Sequence, residues 1–208
     1  MNYFILAILW IAYCTLHSAL ITPRVTKYIK RQLGESYRFY RLFYNAFAVI
    51  TLGPVVFYTY SIRQIPFFTW DGYLLPVRLL MIAAGLFLFY VGSKQYDMST
   101  FMGLRQIMES ENHILINSTG KLNSNGILGV VRHPFYAAIF PLIWATNLDY
   151  TFLIVNCILS IYVIIGTILE EQKLIAEFGD EYRRYKKKVS MLFPWKWIRS
   201  KIKSVKER

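Results

Sequence analysis

The chain has 208 residues, of which 55% are hydrophobic and only 17% charged, and its mean hydropathy is positive. Those proportions exclude an ordinary soluble protein and point to several membrane spans. The net charge of +12 does not indicate nucleic-acid binding. The cations cluster just outside apolar runs, where orientation signals and lipid-headgroup contacts sit.

Five apolar runs predict five helices, at about 2–21, 40–60, 74–93, 134–146 and 151–169. The expected fold is all-α, a membrane helical bundle with a helical C-terminal segment. The first run lacks the basic lead and small-residue cleavage site of a secretory signal, so it reads as a retained span. Cys14 and Cys157 both fall in spans, and no disulfide framework is indicated. The fourth run is short for a crossing, which takes about 20 apolar residues. Five spans with the C-terminus in the cytoplasm put every Lys and Arg on the inner side except Arg63 and Arg78. That is the positive-inside pattern, with the N-terminus outside. The chain is expected to form one domain: three spans over 1–93, a cofactor-binding part over 94–195 and a basic tail over 196–208. No internal repeat supports a transporter of duplicated halves.

Two motifs stand out. In "GVVRHPFYAAIF" Pro134 suits the first turn of a helix and keeps His133 out of it. The first amides of that helix carry the positive end of its dipole and suit an anion. Arg132 adds to that field, and Tyr136 lies in the first turn. A plain span also uses an orienting cation and a starting proline, so the trio alone leaves both readings open. In "LEEQKLIAEFGDEYRRYKKKVSMLFP" Glu170 and Glu171 are adjacent carboxylates at the inner end of an apolar helix, where ionised groups are costly and usually functional. Gly179 predicts a helix stop, and Asp180 the cap of a new helix. Tyr182, Tyr185 and Val189 share one face of that helix. An amphipathic helix on an anionic leaflet explains the lysines, but not the buried carboxylates. A short outer turn at 147–150 brings His133 and the carboxylate pair to the same membrane face. A ligand with an anionic end, a cationic part and hydroxyls fits them. No strand–GxGxxG–helix is present for a Rossmann-type nucleotide site.

The pattern RHPxY, then EExxLxxxFGxEYxxYxxxV with a following proline, resembles the integral-membrane methyltransferases. These include isoprenylcysteine carboxyl methyltransferase and the phospholipid methyltransferases. The likeness covers roughly 95–195. "LHSALITPRVTK", "YRFYRLFYNAFA", "FMGLRQI" and "WAT" are similar to the methanethiol S-methyltransferase and NnrU-like branch. The resemblance implies S-adenosyl-L-methionine as cofactor, and no metal. Its pocket would be lined by Gln106, Leu122, Gly126, Leu128, Arg132, His133, Pro134, Phe135, Tyr136, Glu170 and Glu171. Leu128 stands where the family often has an aromatic, and Lys188 where some relatives have an arginine that cannot be replaced as a bidentate fork.

The branch implies methylation of a small thiol such as methanethiol. The thiolate is the nucleophile, so a base or cation should help form it. His17, Arg105 and Tyr44 are the catalytic candidates, with Tyr40 beside them. His17 in the first span reads equally well as a structural histidine. Expected partners are the small thiol or another lipophilic acceptor and the membrane lipids, with no nucleic acid. The expected location is a bacterial inner membrane. Alternatives are a prenylcysteine carboxylate or a lipid amine as acceptor, a transporter, or a non-catalytic membrane factor.

Overall fold

A computed structural model of the protein describes residues 1–94, 99, 102–109 and 124–206. Its helices are α1 (Asn2–Leu20), α2 (Pro23–Leu33), α3 (Tyr40–Ser61), α4 (Leu75–Ser93), α5 (Leu104–Glu109), α6 (Pro134–Trp144), α7 (Tyr150–Lys188) and α8 (Trp195–Lys206). Among the described residues there is no strand, only isolated bridges at Phe68–Leu148 and Val131–Ser190. The fold is all-α, as the apolar runs predict.

Among the described residues four helical stretches are long and apolar enough to cross a membrane: Asn2–Leu20, Pro23–Ser61, Gly72–Ser93 and Tyr150–Lys188. Their large side chains stay exposed, among them Phe4, Ile8, Val49, Phe57, Leu80, Phe87 and Ile165. Water does not tolerate such continuous apolar faces, and lipid does. The protein is an integral membrane protein. The fourth predicted span, 134–146, forms α6, which has 11 residues. At 1.5 Å per residue α6 is roughly 16 Å long, about half the thickness of a ~30 Å hydrocarbon core.

The chain divides into two compact units. The first comprises 1–69, 97–118 and 147–162. Its core is Leu6, Trp10, Val55 and Val155. The indole of Trp10 donates to Thr59 Oγ1 at 3.0 Å. Thr59 in turn donates to the Val55 carbonyl at 2.8 Å, so neither buried polar group is left unpaired. α2 lies outside the five apolar runs. Thr22 precedes Pro23 at its first position, and Gly34 closes it with φ 52. At the other end Asp149 is buried and caps α7. Its Oδ1 accepts the Phe152 N–H at 2.8 Å and its Oδ2 the Gln64 N–H at 2.9 Å.

The second unit comprises 70–96, 119–146 and 163–208. Here α4 lies against α6 at two glycines seven residues apart. A Cβ on Gly92 would come within 2.8 Å of the Phe135 amide nitrogen, and one on Gly85 within 2.6 Å of the Leu142 side chain. Trp70 Nε1 donates to the carbonyls of Trp144 and Thr146, both at 3.1 Å. α7 breaks at Gly179, whose φ of 55 and ψ of −126 are not helical. The predicted helix stop is therefore present. In a straight helix Glu171 and Lys186, fifteen residues apart, would be separated by roughly 22 Å. Their side chains instead meet at 2.7 Å, so the chain folds back at the glycine.

Candidate functional site

In the second unit the site grows from the start of α6. His133 has φ −126 and ψ 67 and stands just outside the helix that Pro134 begins. Its backbone is pinned from the far end of the unit. Arg132 N–H donates to the Ser190 carbonyl at 2.9 Å, and His133 N–H to the Met191 carbonyl at 3.1 Å. The segment after the folded-back helix thus fixes the entry to α6. Phe135 is held by the ring of Phe89, with centroids 4.6 Å apart, and by the bare backbone of Gly92 behind its amide.

Glu171 is the hub. Its Oε1 receives Arg132 Nε at 2.6 Å and Nη2 at 2.5 Å. Tyr182 OH donates to the same oxygen at 3.4 Å, and His133 Nε2 lies 3.4 Å from it. Its Oε2 receives Lys186 Nζ at 2.7 Å. The Arg132 guanidinium also donates to the carbonyls of Lys186, in the last turn of α7, and of Val189, just past its end. One arginine therefore neutralises a buried carboxylate and caps a helix end. Tyr182, Tyr185 and Val189 are buried, so the face predicted for this segment packs inward. Tyr185 OH donates to the Leu128 carbonyl at 2.5 Å. Leu128 lies in the 3-10 turn Gly126–Gly129, where Gly126 takes φ 60.

Glu170 differs from its neighbour. Its Oε2 is buried and accepts no hydrogen bond among the described residues. The nearest cation-forming group is His133 Nδ1 at 3.9 Å. The His133 ring stacks with Tyr136, centroids 5.9 Å apart. A buried carboxylate oxygen without a donor carries a desolvation cost, and an amine or hydroxyl of a ligand would relieve it.

The first unit holds the catalytic candidates. Tyr44 is buried, and its hydroxyl lies 2.9 Å from the His17 ring nitrogens. It also donates to the His17 carbonyl at 3.2 Å. Tyr13 stacks on the His17 ring with centroids 5.9 Å apart. The Tyr40 hydroxyl donates to the Leu20 carbonyl at 2.8 Å and so terminates α1. Arg105 is half-buried on α5. That segment docks on α3 through Gly103, φ 88, against the backbone of Leu42, and through Asn45 Nδ2, which donates to the Met102 carbonyl at 3.2 Å. Gln106 is on α5 too. Its side chain, and the whole of Leu122, lie outside the described residues.

The profile of the NnrU protein family matches residues 4–192. The chain belongs to the NnrU protein family. Among curated relatives, a protein named methanethiol S-methyltransferase 1 from Bradyrhizobium diazoefficiens is 45% identical over 67 residues, 32% of this chain and 24% of its own. Methanethiol S-methyltransferase from Mycobacterium tuberculosis is 30% identical over 141 residues, 64% of this chain and 56% of its own. One of the same name from Pseudomonas deceptionensis is 42% identical over 66 residues, 31% of this chain and 25% of its own. The matched segments span about a quarter to just over half the length of these relatives. No solved structure matches at a significant level.

Several groups that meet here are not signalled by residue type. Lys186 read as one of three surface lysines. Tyr182 read as a face residue, with no sign of its bond to Glu171. Ser190 and Met191 contribute carbonyls, which no side chain advertises. Gly92 had a signal: it lies seven residues after Gly85, on the same face of α4.

Proposed function

We propose that this NnrU-family protein is an S-adenosylmethionine-dependent membrane methyltransferase that converts a small thiol, methanethiol first, to a thioether. The observation that carries the proposal is the buried Glu170 Oε2, which has no donor among the described residues and lies beside the stacked His133–Tyr136 pair. The relatives' names support the reaction class, and the RHPxY and EExxL motifs support the cofactor.

The residues present fit the cofactor. Glu170 offers a carboxylate oxygen to an ammonium or a ribose hydroxyl. The ring pair offers a flat wall, and Gly126 and Leu128 belong to the turn whose Leu128 carbonyl accepts the Tyr185 hydroxyl. Glu171 acts from behind. It fixes Arg132 and His133 so that the entry to α6 keeps its shape. The resemblance to the methyltransferases adds Gln106 and Leu122 to the residues proposed for the cofactor. S-adenosylmethionine supplies a methyl group on a sulfonium. The chain's own task is to order donor and acceptor in line and to exclude water. On the acceptor side the thiol must lose its proton. We assign that role to His17, whose ring is held by Tyr44, with Arg105 as the cation that favours the thiolate. The location we propose is a bacterial inner membrane, N-terminus outside and C-terminus in the cytoplasm, which the distribution of Lys and Arg supports.

The test is a binding and turnover assay on the purified protein in detergent. S-adenosylmethionine affinity is measured by calorimetry. Methyl transfer is then followed from labelled cofactor to methanethiol, a longer thiol, a prenylcysteine and a lipid amine. Labelled dimethyl sulfide is expected. Transfer only to the prenylcysteine or the amine moves the substrate assignment, and binding without transfer to any acceptor makes the protein a non-catalytic factor. Absence of both binding and transfer refutes the enzyme reading.

A further inference from the structure

The helix α8 has no place in the proposed chemistry, yet it is built in a particular way. Trp195, Ile198, Ile202 and Val205 recur at spacings of three, four and three, so they share one face. Trp195, Ile202 and Val205 are exposed, which leaves that face uncovered. Arg199, Lys203 and Lys206 run along one edge of the stripe and Lys201 along the other. Ser200 and Ser204 occupy the opposite side. No acidic residue lies between Trp195 and Lys206. Lys201 also rests over the Trp197 ring, 5.8 Å from its centroid. Cations beside an apolar stripe, with a tryptophan at its start, match a helix lying in a lipid interface.

The root of α8 is fixed. Lys196 Nζ donates to the Lys186 carbonyl at 2.7 Å and the Lys187 carbonyl at 3.1 Å, and Lys196 N–H to Ser190 Oγ at 2.9 Å. α8 is therefore tethered to the end of a helix that itself emerges from an apolar span. We propose that α8 is a docking surface for an anionic phospholipid leaflet: its apolar stripe enters the interface and its flanking cations bind the headgroups. Charge complementarity selects this occupant, because every charged group on the helix is a cation. The proposal is independent of the methyltransferase reading.

The experiment uses the full chain with Cys14 and Cys157 replaced by alanine, spin-labelled through Ile202→Cys or Ser204→Cys. It is reconstituted in nanodiscs of phosphatidylcholine alone or in equal parts with phosphatidylglycerol. Relaxation by oxygen, which partitions into lipid, is compared with relaxation by a water-soluble nickel chelate. In the mixed bilayer the oxygen preference at 202 is expected to exceed that at 204 several-fold. It should fall several-fold in phosphatidylcholine alone, and again when Arg199, Lys201 and Lys206 become glutamine. Lys196 is left intact because it holds the helix root. Equal preference at 202 and 204 in the mixed bilayer would overturn the proposal. So would a preference at 202 that ignores both lipid charge and the glutamine changes.

Discussion

At the scale of single residues, the two carboxylates of "LEEQ" separate into different roles. Glu171 is ringed by Arg132, Lys186, Tyr182 and His133, all within 3.4 Å. Its side chain and that of Arg132 are only 5% and 6% exposed. Breaking such a buried pair by removing one partner costs about 3–5 kcal/mol, because the other charge remains buried. Glu171→Gln should therefore lower the midpoint of thermal unfolding in detergent markedly. Glu170→Gln should leave that midpoint near the parent's, since Glu170 Oε2 has no bond among the described residues to lose. If a charge-assisted bond to the cofactor is worth about 1.5–3 kcal/mol, S-adenosylmethionine affinity should then fall roughly ten- to hundredfold. Calorimetry on the two variants separates the roles. Equal loss of stability in both would show that the carboxylates act as a structural pair.

At the scale of elements, three glycines shape the second unit. At Gly92 an added Cβ would meet backbone, the Phe135 N at 2.8 Å and Cα at 3.1 Å. No rotamer change relieves that, so Gly92→Ala should push the start of α6 away. It should cost about 1–3 kcal/mol as overpacking does, and weaken cofactor binding with it. At Gly85 the closest atoms belong to the Leu142 side chain, which can turn. Gly85→Ala should be the milder of the two, as melting curves and cofactor titrations on both would show. Gly179 meets nothing within 4 Å, and its constraint is conformational, φ 55 with ψ −126. Gly179→Ala should cost about 1–3 kcal/mol through backbone strain alone. Because the fold-back carries Tyr182 and Lys186 to Glu171, the same variant should uncouple them. A double-mutant cycle of Gly179→Ala with Lys186→Ala would reveal this as non-additive melting shifts.

At the scale of the whole molecule, the helices at the spans were legible because apolar runs are long and punctuated by Pro, Gly and charge. So was the convergence of His133 with the carboxylates, since Pro134 starts one helix and the adjacent glutamates follow the apolar run of the next. What stayed hidden was of two kinds. Backbone acceptors such as the Val189, Ser190 and Met191 carbonyls leave no trace in residue type. Short polar helices such as α2 and α8 look like basic linkers until their faces are laid out in space. The orientation inferred from the cations is open to a direct check. A C-terminal alkaline phosphatase fusion should be inactive and a green fluorescent fusion bright in bacterial cells, because the C-terminus is expected in the cytoplasm. The reverse pattern would invert the topology.

The reach of Arg132 has a consequence for how the protein is made. Its carboxylate partner lies 39 residues further along the chain, and the last carbonyl it caps lies 57 residues further. At about 5–20 residues per second of synthesis, those partners follow the arginine by seconds. Until the chain has been made as far as Glu171 and Val189, Arg132 has neither of these partners. It can act then as a topological signal, when the insertion machinery reads charge. Only later is the same guanidinium withdrawn from water and locked into the hub. If the cations orient the chain as the positive-inside pattern predicts, one residue serves twice, first as part of that signal and then as the partner of Glu171.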